Sequence, residues 1–207
     1  HDNATVLHAP WQLECLEKTP PPRPLTVFLK VNTGMNRLGF PVHEIPAVWQ
    51  RLRASGAVAE GVLMTHFATA DEAAGIAWQL PALQKAGASL ALPGCFANSA
   101  AILRHPESHA DWVRPGIMLY GGSPFADEAA GRLGLAPVMT LSSRLIAVQR
   151  LAPGDALGYG AAFRAERPMR VGIVACGYAD GYPRHAPTGT PILVAGRRTR
   201  TLGRVSM

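Results

Sequence analysis

Arg114 stands in the stretch DWVRPGIMLYGG, between apolar, strand-like neighbours. A guanidinium keeps its charge inside a protein and is costly to bury without partners, so something must face it. Related groups recur along the chain. Lys30 closes LTVFLK, Arg37 follows within NTGMNRLGF, and His66 ends GVLMTHF. Asn98 and Ser99 open a helical stretch, where free backbone N–H groups and a hydroxyl favour an anion. Gly116 and Ile117 offer backbone donors just after Arg114. Cations, an imidazole and N–H donors together suit the holding of a small anion.

Each group also has a plainer reading. Ser99 alone is equally a helix N-cap. His66 alone is more readily a hydrogen-bonded core histidine, and Lys30 can carry its ammonium out to solvent along its stem. In HPESH, His105 and His109 have the i,i+4 spacing of a metal pair, but no glutamate follows the first histidine and Pro106 suggests a helix start, so no metal is expected. The GYG of residues 158–160 can be a simple hairpin turn, and the tyrosines of GYADGYP can simply pack.

What must position these groups is a series of alternating elements. LTVFLKV (25–31) reads as a strand, and HEIPAVWQRLRASG (43–56) as a helix closed by glycine. GVLMTHF (61–67) is a second strand, with a helix expected from about Asp71 to Ala86. SLAL (89–92) begins a third strand that leads to a short helix, and WVRPGIMLYG (112–121) reads as a fourth. VLHAPWQLECLEK supplies a possible fifth unit. Such alternation indicates βα units on a parallel sheet. A closed (β/α)8 barrel needs about 250 residues, so this is half a barrel, with chemistry expected at the carboxyl ends of its strands. From about Leu135 the pattern turns all-β, after a linker near GGSPFADEAAGRLG. The fold class is therefore α/β plus β: part of a TIM-type barrel, then part of a mainly-β domain. Both ends look truncated.

Composition narrows the function. The chain has 207 residues, 48% of them hydrophobic and 16% charged, which suits a globular protein of one or two domains. No apolar run reaches the roughly 18 residues of a membrane span. The formal charge of +6 is scattered, without a basic stripe and interleaved aromatics, so no nucleic-acid partner is expected. Cys15, Cys95 and Cys176 form no CxxC pair and no disulfide framework, which favours a reducing cytoplasm.

Singly, none of these signals is specific; in combination they are. LKVNTGMNRLGF, MTHFATAD, ANSAA, WVRPGIMLYG, ALGYGAAF, GYADGYPR and LGRVSM occur in the order and approximate spacing of bacterial alanine racemases. The resemblance runs over essentially the whole chain and is closest to the catabolic type of proteobacteria. It implies a homodimer of a barrel that binds pyridoxal 5'-phosphate and a β-domain, with residues 1–126 as the later part of the barrel and 127–207 as the first part of the β-domain. The family's cofactor-holding lysine, in a motif like VKANAYGHG, has no counterpart here. Nor has its phosphate-binding tyrosine, nor the aspartate that follows the GRVSM methionine. The resemblance thus implies a fragment, expected to be inactive by itself.

The same resemblance assigns roles. Arg114 would face the pyridine nitrogen and keep it unprotonated, where a carboxylate would hold it protonated. The weaker electron sink suppresses transamination and favours racemisation. Two acid/base groups are needed on opposite faces of the substrate Cα: one is the missing lysine, the other Tyr159, reaching across the dimer interface. A phenol with a pKa near 10 needs help to act as a base, and a tyrosine–histidine–arginine chain through His66 and Arg114 would supply it. Ser99, with Asn98 and the backbone of Gly116 and Ile117, would hold the phosphate. Arg37 would approach the cofactor's phenolic oxygen and the substrate carboxylate, the Met207 N–H of the partner subunit would bind that carboxylate, and Tyr178 would line the substrate entrance. Lys30 matches a lysine that is often carbamylated. The implied reaction interconverts L- and D-alanine, supplying D-alanine for peptidoglycan or alanine for catabolism. Two alternatives stand beside it. One is a broad-specificity amino-acid racemase, which often carries disulfides. The other is a non-catalytic pyridoxal-phosphate carrier, which lacks the β-domain and its GYG tyrosine.

Overall fold

The computed structural model describes residues 4–88 and 90–207. Backbone proximity separates two compact units, the first running to Met139 and the second from Thr140 to Met207.

The first unit is built from parallel strands joined by helices. β1 (Ala4–Leu7) is followed by α1 (Pro10–Lys18), then by β2 (Leu25–Asn32) and a two-residue strand, β3 (Phe40–Pro41). α2 (Ile45–Ala54) leads to β4 (Val58–Met64), α3 (Leu80–Gly87) to β5 (Gly94–Cys95), and α4 (Ser99–Arg104) ends the series. The sheet order β1-β2-β4-β5 follows the chain, with every pair parallel. A parallel bridge from Cys95 to Trp112 adds the start of a further strand. Parallel strands in chain order, each followed by a helix, form a segment of a TIM-type barrel.

Strand alternation decides what each face carries. Val27, Leu29 and Val31 of β2 are buried with Leu13 of α1, Val48 and Leu52 of α2, and Leu83 of α3. Phe28 and Lys30 therefore occupy the opposite face of the strand. Gly61 in β4 is required by packing, because a Cβ there would collide with the Trp49 ring of α2.

Three expected elements come out differently. The helix proposed from Asp71 starts only at Leu80; Gly75 has φ of 57°, and Pro81 sits in the first turn, where a missing N–H costs nothing. The third strand lies at Gly94–Cys95 rather than at 89–92: Ser89 is outside the described residues, and Ala91 is left-handed, with φ of 46°. The fourth strand shrinks to the Trp112 bridge. Pro115 has no N–H for a ladder, and Ile117–Tyr120 winds into a 3₁₀ turn instead.

The second unit consists of antiparallel pairs. β6 (Leu145–Leu151) pairs with β9 (Met169–Val174), and between them β7 (Ala156–Leu157) pairs with β8 (Phe163–Arg164). β10 (Pro191–Val194) and β11 (Arg197–Arg200) make a final hairpin. A partial barrel followed by a mainly-β unit is the architecture expected from the sequence.

Candidate active site

Arg114 is faced by carbonyl oxygens. Its Nη1 donates to the Cys95 carbonyl at 2.6 Å and lies 3.1 Å from the Cys95 Sγ. Its Nη2 donates to the carbonyls of Thr65 at 2.6 Å and Phe96 at 3.3 Å. These carbonyls belong to the carboxyl ends of β4 and β5, so the strand ends themselves hold the charge. The Arg114 backbone N–H is fixed to Ala97 O at 2.9 Å. Its Nε takes no partner among the described residues.

His66 lies two residues beyond β4, with Nδ1 3.4 Å from Arg114 Nη2. Burial, then the positive charges of Arg114, Arg37 and Lys30, push its pKa down to about 4, so the ring is neutral at physiological pH. A guanidinium can only donate; Nδ1 must accept, and the ring proton sits on Nε2. Asn98 Nδ2, 3.5 Å from Nε2, is itself a donor, so that approach is a contact and no hydrogen bond. The amide nitrogen is used at Phe67 O, 3.2 Å away.

Lys30 and Arg37 share one recess with Thr33, Thr65 and His66. Burial, then Arg37 and Arg114, lower the Lys30 pKa. The Arg37 loop is held by Asn32, whose Oδ1 accepts the N–H groups of Gly34 and Asn36, both at 3.0 Å. Gly39, at φ of 120°, could not carry a Cβ without meeting the backbone of Asn32 and Val31.

Asn98 caps α4 by accepting the Ala101 N–H at 3.0 Å, which leaves Ser99 free of that duty. The buried Ser99 hydroxyl accepts from Gly116 N at 2.8 Å and from Met118 N at 3.5 Å. Its own proton is left to donate. The Ile117 N–H has no partner among the described residues. In HPESH, His109 Nε2 lies 2.9 Å from Ile102 O and His105 Nδ1 3.3 Å from Glu107.

The second unit carries the remaining candidates. Tyr159 sits 60% exposed on a turn between Gly158 and Gly160, both left-handed with φ near 70°. Tyr178 and Met207 are brought together: Tyr178 N donates to Ser206 O at 3.0 Å, and Ala179 N to Met207 O at 3.2 Å. A Cβ on Gly177 would strike both carbonyls, so this approach needs a glycine.

Sequence reasoning missed three polar residues beneath the site. Thr33, Thr65 and Gln79 are buried and hydrogen-bonded to one another, and Gln79 is fully buried. The available signal was small: a threonine ending each of VNT and MT just before a charged or aromatic loop, and an uncharged amide among Ile76, Trp78 and Leu80.

Fold and site define an α/β-barrel segment with an anion-directed rim, followed by a β unit. The protein-family model described as alanine racemase, N-terminal domain, matches residues 1–124, and the one for the C-terminal domain matches residues 138–207. The chain belongs to the alanine racemase family. It is 62% identical over 202 residues to an alanine racemase of Thiobacillus denitrificans, covering 98% of this chain and 55% of that one. A catabolic alanine racemase of Klebsiella aerogenes is 53% identical over 204 residues, covering 98% and 57%. The crystal structure of the biosynthetic alanine racemase from Pseudomonas aeruginosa superposes with a TM-score of 0.92 at 47% identity, covering 99% of this chain and 57% of that one. The chain thus spans a little over half the length of these relatives.

Proposed function

We propose that the protein to which this chain belongs interconverts L- and D-alanine, with pyridoxal 5'-phosphate as cofactor, as a cytoplasmic homodimer. The observation that carries this reading is Arg114, held by strand-end carbonyls and paired with a neutral His66, with no carboxylate bonded to either among the described residues. The donor set fits the cofactor. Ser99 has a hydroxyl proton to give and Ile117 an N–H, which suits a phosphate ester, and Arg114 Nε suits an aromatic nitrogen acceptor. Bound there, the cofactor supplies an electron sink for the pair left when the Cα proton departs.

The chain's own residues then do the following. Arg114 would donate to the ring nitrogen of the bound cofactor and, being permanently charged, would keep a proton off it. His66 accepts from Arg114 at Nδ1 and presents Nε2–H, a donor that stabilises a phenolate. That phenolate is Tyr159, supplied across the dimer interface, which takes the Cα proton from one face; the return of a proton to the opposite face falls to the second acid/base group, the lysine that has no counterpart in these 207 residues. Arg37, with the Met207 N–H of the partner subunit, orients the substrate carboxylate, and Tyr178 narrows the entrance to it. Lys30, its ammonium disfavoured by burial and then by Arg37 and Arg114, is suited to carbamylation, which would turn a repulsive neighbour of Arg37 into a partner. The three unpaired thiols support a reducing compartment.

The test is deuterium exchange at Cα. The full-length protein with pyridoxal phosphate, given D-alanine in heavy water, is expected to exchange the Cα proton while L-alanine accumulates. No exchange, with the cofactor still bound, would establish a carrier. Equal turnover of larger amino acids would establish a broad-specificity racemase.

A further inference from the structure

Gln79 has every amide function committed. Its Oε1 accepts the Ala68 N–H at 2.8 Å, and its Nε2 donates to the His66 carbonyl at 3.2 Å and to Thr33 Oγ1 at 2.8 Å. The orientation of the amide is forced, because Ala68 N–H can only donate and the His66 carbonyl can only accept. The proton directions beyond it are forced as well. Thr65 Oγ1 donates to Val31 O at 3.1 Å, so in the 2.8 Å contact between the two threonines it is Thr33 that donates. The series runs from Gln79 through Thr33 and Thr65 to Val31, with one proton per link.

This series joins two loops. Thr33 lies in the loop that leads from β2 to Arg37; Thr65 and His66 lie in the loop after β4. The same Thr65 that passes the series on to Val31 offers its carbonyl to Arg114 Nη2. On the outer side, the neighbouring residue repeats the clamp. The Trp78 ring covers Gly34 so closely that a Cβ could not fit between them, and its Nε1 is tied to Thr69 Oγ1 at 2.8 Å.

We infer that Gln79 is a positioning residue: through Thr33 and the His66 carbonyl it locks the two rim loops together, so that His66 keeps Nδ1 on Arg114 and presents Nε2–H outward. Gln79 touches neither the proposed substrate nor the cofactor, and acts only through His66 and the Arg37 loop. The charged groups facing the imidazole are Arg114, Arg37 and Lys30, all cationic. Their distance and the dryness of the recess set the ring's proton affinity, so a loosened loop raises it. The inference deepens the racemase reading but needs that reading only for its activity arm.

The experiment compares Gln79→Met, Thr33→Val and Thr33→Ser in the full-length protein, using nitrogen-15 NMR of labelled histidine, with His66→Asn to assign the signal. In the unchanged protein His66 is expected to be the Nε2–H tautomer, titrating near about 4. Gln79→Met and Thr33→Val should move its midpoint upward toward the ordinary 6.5 and mix the tautomers, while Thr33→Ser, which keeps the hydroxyl, should not. In the activity arm, kcat should fall roughly ten- to hundred-fold in the first two variants, with KM changed far less. Should Gln79→Met fail to fold, the Thr33 pair carries the test unaided. An unchanged His66 titration and tautomer in the folded variants would overturn the inference. If the unchanged protein racemises nothing, the function reading fails, and the NMR arm still decides the role of Gln79.

Discussion

The two units hold their candidate residues by different means. In the first, the rim lies above a dry core: Val27, Leu29 and Leu52 are fully buried, and the rim's polar atoms are fixed by buried side-chain bonds. In the second, only Ala165 and Val171 are buried apolar residues among those described, while Leu145, Ile146, Val148 and Leu193 are exposed. Tyr159, Tyr178 and Met207 are held there by turn backbone, left-handed glycines and carbonyl contacts. Within these 207 residues, the first unit fixes its candidates through burial and the second through backbone conformation.

The largest effect that could break this contrast is on stability. In the 207-residue chain, Leu29→Ala is expected to cost about 3 kcal/mol, the transfer loss plus an unfilled cavity. Ile146→Ala, on an exposed strand face, should cost under about 0.5 kcal/mol. Urea unfolding of both variants decides it. Equal costs would show that the second unit has a core after all. Repeating Ile146→Ala in the full-length protein sharpens the comparison, since a rise above about 1 kcal/mol there would mean that further chain covers the face.

A smaller effect separates the two ways of holding a residue. Gly177→Ala should force apart the turn of Tyr178 and the carbonyls of Ser206 and Met207, at about 2 kcal/mol. The amides of Tyr178 and Ala179, which donate to those carbonyls, should lose hydrogen-exchange protection while the first unit keeps its own. Protection that survives the substitution would mean that the turn does not depend on the missing Cβ.

Legibility in the sequence follows the range of the forces involved. β2 and α2 were readable because alternation and helical spacing are local, and Arg114 and His66 because a lone charge in an apolar run demands an explanation. The late start of α3 was hidden by the apolar spacing of Ile76, Leu80 and Leu83, which mimics a helix across Gly75. The fourth strand was over-read because the apolar run of residues 117–120 outweighed Pro115, whose missing N–H ends the ladder. Gln79 was invisible for a different reason. Its partners lie 46 residues away at Thr33 and 13 away at His66, and only the closing of two loops makes an amide more useful there than a leucine.

The smallest effect is a pH dependence confined to the first unit. Folding lowers the His66 pKa from 6.5 to about 4, so between those values the unfolded chain binds a proton that the folded chain does not. Protons therefore pull the equilibrium toward unfolding. The stability carried by the neutral ring is complete above about pH 6.5 and declines as the pH falls toward 4. Because the ring is only about half-buried, solvent screening reduces the effect to about 1–2 kcal/mol. Carboxylates also titrate near the acid end, so the informative quantity is the difference between the unchanged chain and His66→Asn, measured in denaturant without added cofactor at several pH values. The advantage of the unchanged chain over His66→Asn should be flat above about pH 7 and decline steadily as the pH drops from 6.5 to about 4. A pH-independent difference would mean that His66 is as well hydrated in the folded chain as in the unfolded one, and that the rim of the first unit is no drier than the turns of the second.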